Sequence, residues 1–363
     1  MNDVPRGNRR EFLQGRAAMR AAAGAIERRL APLVDEPMPR AAEPYLVHYT
    51  RRAMACDFAL FLNAGQYDHT AETALEALDL VEQLETQLTV YRDSSEVMAI
   101  NRSAADGPVP VEAGLFRLLE FSLTLYAATD GAFDITAGPL TKAWGFSRRA
   151  GAIPDAATLA ETLERVGGQY IELDAEHRTI RFRRPGIELN FGAIGKGYAL
   201  DRCDELLRAA GIENFLWHGG QSSVLARGSS ADSSERDGGW LVGVGDPVRA
   251  GRRVAEIWLR DRALATSGAS AQFFRHQGRR YGHILDPRTG WPAEGVLSAT
   301  VVAPTAAEAD ALSTAMYVMG VERALAFCGS RPDVGALLLH ASPSGSNVEI
   351  ATAGLRENEW RPV

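Results

Sequence analysis

The residues able to do chemistry lie in separate stretches of the chain. Asn190 to Tyr198 reads NFGAIGKGY, with Gly192, Gly195 and Gly197 set around Ile194 and Lys196. This stretch follows a strand-like segment and opens a helix. Glycines let a backbone come close to a ligand, and a helix N-terminus presents N–H groups to an anion. The spacing matches neither G-x-x-x-x-G-K-[ST] nor G-x-G-x-x-G, so neither standard nucleotide motif applies. A plain glycine-rich strand-to-helix turn would explain the same residues.

Asp310 and Thr314 stand four residues apart in EADALST. On a helix they share one face. A carboxylate and a hydroxyl one turn apart suit a hard cation such as Mg²⁺, which takes oxygen ligands. A polar helix face is the plainer reading until a third ligand is named. Thr266-Ser267-Gly268 precede the run His283 to Pro292, HILDPRTGWP, whose Asp-Pro and Thr-Gly pairs form turns. His283 is a candidate general base near neutral pH, with Asp286 to orient it or a substrate. The competing reading is a satisfied histidine beside an aspartate that caps its own turn. Asp130 to Phe146 is rich in turn formers and aromatics. Trp144 and Phe146 suit a planar ring or simply a core. Tyr91 to Glu96, Asn101, the Trp217–Gly220 segment and Asp246-Pro247 complete the set.

Secondary structure must bring these stretches together. Apolar spacing of i, i+3, i+4, i+7 predicts three helices: one through Ala74, Leu78, Val81, Leu84 and Leu88, one through Leu115, Leu118, Leu119 and Leu125, and one through Ala309, Leu312, Met316 and Met319. Gly320 is placed to cap the last of these. Strands are predicted at 57–62, 170–173, 179–183, 240–244, 254–259, 298–302 and 334–339. The Gly/Ser/Asp-rich stretch Gly228–Gly239 reads as a surface loop between two strands. Helices and strands do not alternate one for one. That predicts an α+β fold, a mixed and mostly antiparallel sheet packed with helices, and not a doubly wound one. Residues 1–45 read as an Arg/Ala-rich head or linker, and 46–363 as one domain.

Composition narrows the function classes. The 363 residues are 46% hydrophobic and 23% charged, enough apolar surface for a core. The net charge of −7 argues against a nucleic-acid binder. The first 45 residues hold 8 arginines and 6 acids, so the remainder carries −9. Only Lys142 and Lys196 are lysines, against 37 arginines. Three scattered cysteines predict neither a disulfide framework nor a structural zinc site. No apolar run approaches the ~18 residues of a transmembrane segment. Arg9-Arg10-Glu11-Phe12-Leu13 resembles a twin-arginine export motif, but Arg16, Arg20, Glu27, Arg28 and Arg29 interrupt the apolar stretch that should follow. The expectation is a cytoplasmic protein, with export through this degenerate start as the alternative.

The order of the blocks says more than any one of them. Met54, Tyr91-Arg-x-x-Ser-Glu96, Gly131-Ala-Phe-Asp134, Gly138-Pro-Leu140, Trp144-Gly-Phe146, Ala193-Ile-Gly-Lys-Gly-Tyr-Ala199, Asp201, Gly219-Gly220, Thr266-Ser-Gly268, His283-x-x-Asp-Pro-x-Thr-Gly290-x-Pro292 and Ala309-Asp-Ala-x-Ser-Thr314 follow one another. Together they resemble the ApbE family, the FAD:protein FMN transferases, over almost the whole chain after the head. The resemblance implies Mg²⁺-dependent transfer of the FMN moiety of FAD to a Ser or Thr hydroxyl of a target protein, releasing AMP. It implies Mg²⁺ ligands at Asp310, Thr314 and the carbonyl of Ala193. It implies FAD contacts at Met54, Tyr91, Ala132, Phe133, Asp134, Asn190, Lys196 and Leu285, with Tyr91 on the rings. Catalytic roles fall to His283, as the base for the incoming hydroxyl, and to Asp310. An FAD pyrophosphatase giving FMN and AMP, or a non-catalytic FAD-binding protein, are the alternatives. The chain departs from the family pattern at Asn190, where Asp is usual, at Met54-Ala-Cys56, where Met-Gly-Thr is frequent, and at His218 and Gln221 beside Gly219-Gly220.

Overall fold

A computed structural model describes residues 45–231, 238–268, 272–342 and 347–363. The head at 1–44, with its twin-arginine-like start, and the middle of the Gly228–Gly239 stretch lie outside the described residues.

The body is organised by one eight-stranded sheet whose spatial order is its chain order: β1 (Leu46–Ala53), β2 (Cys56–Asn63), β3 (Phe215–Gly219), β4 (Ser223–Arg227), β5 (Arg262–Gly268), β6 (Ser298–Ala303), β7 (Gly335–Ala341) and β8 (Val348–Ala353). Every neighbouring pair in it is antiparallel. The expected antiparallel character is therefore correct. Five of its strands, β1, β3, β4, β5 and β8, lie outside the segments predicted as strands.

The central strands bury both faces, so period-2 alternation sorts their side chains between two cores. Leu225, Ala263, Ala265, Val301 and Leu338 face the main core. Val224, Leu264, Val302, Leu337 and Leu339 face a second one. Against that second face packs a three-stranded sheet of residues Trp240–Gly245, Arg253–Leu259 and Trp360–Pro362.

The helices are α1 (Thr70–Leu88), α2 (Glu96–Ser103), α3 (Ala113–Ala128), α4 (Gly138–Ala143), α5 (Ala156–Leu163), α6 (Gly195–Ala209), α7 (Ala306–Met319) and α8 (Val321–Ser330). The first six lie between β2 and β3, the last two between β6 and β7. All three predicted stripes are helical. In α1 the stripe Ala74, Ala77, Leu78, Val81, Leu84 and Leu88 is buried, as its spacing requires. Helix α7 is buried on almost every side, because it is held between the sheet and α6. Thr305 caps its start by accepting from the Glu308 N–H, and Gly320, at φ +80°, ends it.

A third, smaller core joins α4 and α5 to the hairpin Phe273–His276/Arg279–Gly282 through Leu140, Trp144, Phe146, Leu159, Tyr281 and Leu285. Trp144 is 0% exposed and donates its indole N–H to the Gly290 carbonyl at 2.7 Å. It is a core residue, which decides between its two readings. All three cysteines are free thiols, with Cys203 and Cys328 buried. Among the described residues no helix is long and apolar enough to cross a membrane.

Candidate functional site

Helices α6 and α7 hold each other by their ends. Asp201, on α6, accepts the N–H groups of Ala306 and Ala307 at 2.7 and 2.8 Å, at the start of α7. Asp310, on α7, accepts the N–H of Gly197 at 2.9 Å, at the start of α6. Each helix start offers partial positive charge and unpaired N–H groups, and each takes a carboxylate from the other helix. The helices touch because position 197 is glycine: a Cβ there would run into the Ala306 carbonyl. The glycine-rich turn thus does carry an anion at a helix start, and that anion is the protein's own Asp310.

Asp310 is 5% exposed. Its Oδ1 accepts from the Ser223 hydroxyl of β4 at 2.6 Å, and its Oδ2 lies 3.5 Å from the Lys196 ammonium. One turn on, the Thr314 hydroxyl is 3.0 Å from Ser267 Oγ of β5, which also meets Ser313 Oγ at 2.8 Å. Thr266 and Thr300 are hydrogen-bonded across β5 and β6 at 2.8 Å, fixing the strand that presents Ser267.

These groups open into a cleft of ≈ 360 Å³. Tyr91, Ala132, Phe133, Asp134, Asn190, Ala193, Lys196, His283, Leu285, Asp310 and Thr314 all line it. The three proposed metal ligands and every residue assigned to FAD except Met54 are brought to one place. Met54 instead sits in the two-residue β1–β2 turn with φ +49°, and is not among the cleft's lining residues. Tyr91 is 74% exposed at the rim, a ring presented to solvent.

Several side chains are spent on shaping the walls. Asp134 Oδ1 accepts from the Thr136 N–H and hydroxyl at 2.8 and 2.7 Å, and its Oδ2 from the Gly168 N–H at 3.1 Å. Burial nevertheless pushes its carboxyl above the usual carboxylate range. Asn190 Oδ1 accepts from the Gly192 N–H at 2.9 Å, closing the first bend of the glycine-rich turn. An Asp would make the same bond, so this turn does not depend on the family's usual residue.

The histidine and its neighbouring aspartate separate. Asp286 grips Arg288 through two bonds of 2.8 Å and accepts the Gly290 N–H through its carbonyl at 2.7 Å. It shapes its own loop, and the idea that it orients His283 is corrected. His283 Nδ1 lies 3.0 Å from the Gln272 carbonyl. A carbonyl only accepts, so Nδ1 carries the proton and Nε2 keeps its lone pair. Burial, reinforced by the nearby Lys196 charge, holds the imidazole below the ordinary histidine pKa of 6.5.

Ser223 carries no signal in the sequence, whereas Ser313 stands inside the Ala309–Thr314 block. Ser223 lies on a strand 87 positions before Asp310, and only the sheet brings its hydroxyl to that carboxylate, whereas Ser313 donates to the Asp310 main-chain carbonyl at 2.9 Å. Ser267 stood inside the noted Thr-Ser-Gly block, which was the available signal.

No group of three or more His, Cys, Asp or Glu side chains able to hold a metal exists among the described residues. The oxygen donors that line the cleft are one buried carboxylate, a threonine hydroxyl and the main chain at Ala193. That set fits a hard divalent cation completed by phosphate oxygens and water, and does not fit zinc.

An antiparallel α+β body with a cleft of hard oxygen donors and one lysine has the chemistry to hold a phosphate-bearing ligand together with a cation. Comparison with known proteins makes this specific. The model of the ApbE family matches residues 54–338, and the chain belongs to that family. An FAD:protein FMN transferase of Treponema pallidum is 35% identical over 278 residues, 73% of this chain and 76% of the relative. One from Klebsiella pneumoniae is 32% identical over 276 residues, 75% of this chain and 84% of the relative. The flavin transferase ApbE of Vibrio cholerae has the same fold, with a TM-score of 0.75 at 25% identity over 86% of this chain and 98% of that one.

Proposed function

We propose that this protein moves the FMN portion of FAD onto a Ser or Thr hydroxyl of an acceptor protein and releases AMP. The observation that carries this reading is the setting of Asp310: a buried carboxylate held by Ser223 and the Gly197 N–H, beside Lys196 and Thr314, facing a cleft that also holds Tyr91 and His283.

In the reaction the acceptor oxygen bonds to the FMN-side phosphorus as the bond from that phosphorus to the bridging oxygen breaks. AMP leaves with that oxygen, and the hydroxyl proton is lost to a base. Phosphoryl-type transfer needs positioning and charge neutralisation more than covalent help. Mg²⁺ held by Asp310, Thr314 and the Ala193 carbonyl would supply that neutralisation at the pyrophosphate. Lys196 adds a second positive charge on the same side. His283, fixed by Gln272 with Nε2 unprotonated, accepts the proton. Tyr91 covers the flavin rings from the rim. Ala132, Phe133 and Leu285 supply apolar wall, and Asp134 and Asn190 hold the loops that frame it.

The charged residues interrupting the stretch after Arg9-Arg10 support action in the cytoplasm. The N-terminal mass of the protein from its native cell tests that: a start beyond the head would mean export.

The test of the activity is incubation with FAD and Mg²⁺, with and without the protein of the native cell that carries denaturation-stable flavin, prepared flavin-free. Fluorescence on the denatured acceptor, with AMP formed only when acceptor is present, is the expected result. FMN and AMP formed without acceptor would make it a pyrophosphatase. Bound but unchanged FAD would make it a binding protein.

A further inference from the structure

His283, Phe146 and Gln272 line the catalytic cleft and also a second groove, of ≈ 420 Å³, on the other side of the same residues. Its remaining walls are Arg149, Gly151, Phe273 and Phe274. Gln272 donates to the Phe146 carbonyl at 3.0 Å, and the Phe146 and Phe274 rings lie 5.6 Å apart, so loop and hairpin form one surface.

Its charge is opposite to that of the body. The loop 146–154 and the hairpin 272–283 contain Arg148, Arg149, Arg275, Arg279 and Arg280 and no acidic residue, whereas the chain beyond the head carries a net −9. All five arginines are exposed. Arg279 is paired with Glu294 at 2.6 Å. In the hairpin register Phe273 pairs with Gly282 and Arg275 with Arg280, so Phe273, Arg275 and Arg280 share the face away from Phe274 and Tyr281. The Arg280 guanidinium covers the Phe273 ring at 4.0 Å, and that ring is still 43% exposed. An exposed ring covered by one guanidinium, in a groove lined by Arg149 and bordered by segments that carry arginines and no acid, suits a carboxylate-rich chain with apolar contacts between its acids.

We propose that this groove docks an acidic segment of the acceptor protein and delivers its hydroxyl past His283 into the cleft. The inference rests on the transferase reading, which supplies the need for an acceptor at this mouth. Continuity argues for it: a chain in the groove already touches the residue that would take its proton. A basic mouth on an acidic body also speeds encounter with an acidic partner and rejects basic ones.

The direct test uses a rhodamine-labelled poly-L-glutamate of about 20 residues, measured by anisotropy against the full-length protein saturated with FAD and Mg²⁺. Binding is expected at low salt, with loss of about tenfold or more in the pair Arg149→Glu/Arg275→Glu, while FAD affinity stays within about twofold. Reversal of the distant pair Arg181→Glu/Arg184→Glu is expected to leave binding unchanged. Poly-L-glutamate should also compete with the acceptor and not with FAD. Absence of binding, equal binding by the groove variant, or loss in the distant pair would overturn the proposal, as would capture of anionic vesicles in place of the peptide. If FAD is never transferred by the wild type, it is the transferase reading that fails, whichever way the peptide behaves.

Discussion

At the residue scale the account depends on two side chains with different duties. Asp310 is a carboxylate held by the Ser223 hydroxyl and the Gly197 N–H, with the Lys196 ammonium at 3.5 Å, so loss of its charge should be felt in turnover more than in folding. Asp310→Asn preserves shape and an acceptor oxygen for Gly197 while removing the charge. It is expected to lower transfer by about 10²–10³-fold, the usual cost of removing one electrostatic group at a reacting phosphate or carbonyl. A variant that keeps full turnover would remove Asp310 from the site. His283 makes a different prediction. Its pKa is depressed by burial and by Lys196, so its base form persists below pH 6.5. The acid limb of kcat/KM for the acceptor should therefore fall below 6.5 and disappear in His283→Ala. A limb at or above 6.5 in the wild type, or one unmoved by the substitution, would assign the base elsewhere.

At the element scale the reciprocal capping of α6 and α7 sets the position of Asp310, the carboxylate proposed to hold the metal. Gly197→Ala pushes a methyl into the Ala306 carbonyl and should cost about 1–3 kcal/mol in denaturant unfolding, with turnover falling alongside as Asp310 shifts. The helix lock also has a pH signature. Burial raises the Asp201 carboxyl from 3.8 to about 7, outweighing the two N–H groups that favour its charged form. The folded state then holds a proton that the unfolded state has lost between those values. Its contribution is full below 3.8 and is lost as pH rises through about 7. Relative to Asp201→Asn, the wild type should lose stability between pH 4 and pH 8, measured by urea midpoints; parallel profiles would contradict it. This lock was only half legible in the sequence. The stripe Ala309, Leu312, Met316 announced α7, and the spacing of Asp310 and Thr314 put both on one face. Nothing local announced that Asp201 would cap it or that Ser223 would hold Asp310. The missed strands have physical reasons too. β5, RALATSG, is rich in alanine and small polar residues and shows neither β-branched clustering nor alternation. β3 and β4 are five residues each and are separated by the Gly-Gly turn that drew attention as chemistry. The family order of blocks names residues that the fold gathers around one cleft, which local pattern could not do, while Met54 lies in a hairpin turn outside that lining.

At the scale of the whole molecule, the proposed ligand is an anionic dinucleotide on an acidic body whose cleft is lined by Lys196, so the transferase reading calls for a bound cation beside it. Chelation of metal should therefore abolish transfer while leaving the fold intact, since the core is apolar and Asp310 and Thr314 are each held by protein hydrogen bonds. Near-unchanged far-UV circular dichroism and urea midpoint in EDTA are the expected readings; unfolding on chelation would make the ion structural. The sheet, with strands in chain order and both faces covered, fixes Ser223 and Ser267 on neighbouring strands, and this rigidity is what turns dispersed hydroxyls into one site. The most direct measurement of the central claim is the ratio of AMP released to flavin retained on the denatured acceptor in a single turnover with Mg²⁺. One AMP per flavinylated acceptor is expected, with both products formed together about 10²–10³-fold more slowly in Asp310→Asn. AMP in excess of bound flavin, or Asp310→Asn forming both products at the wild-type rate, would contradict it.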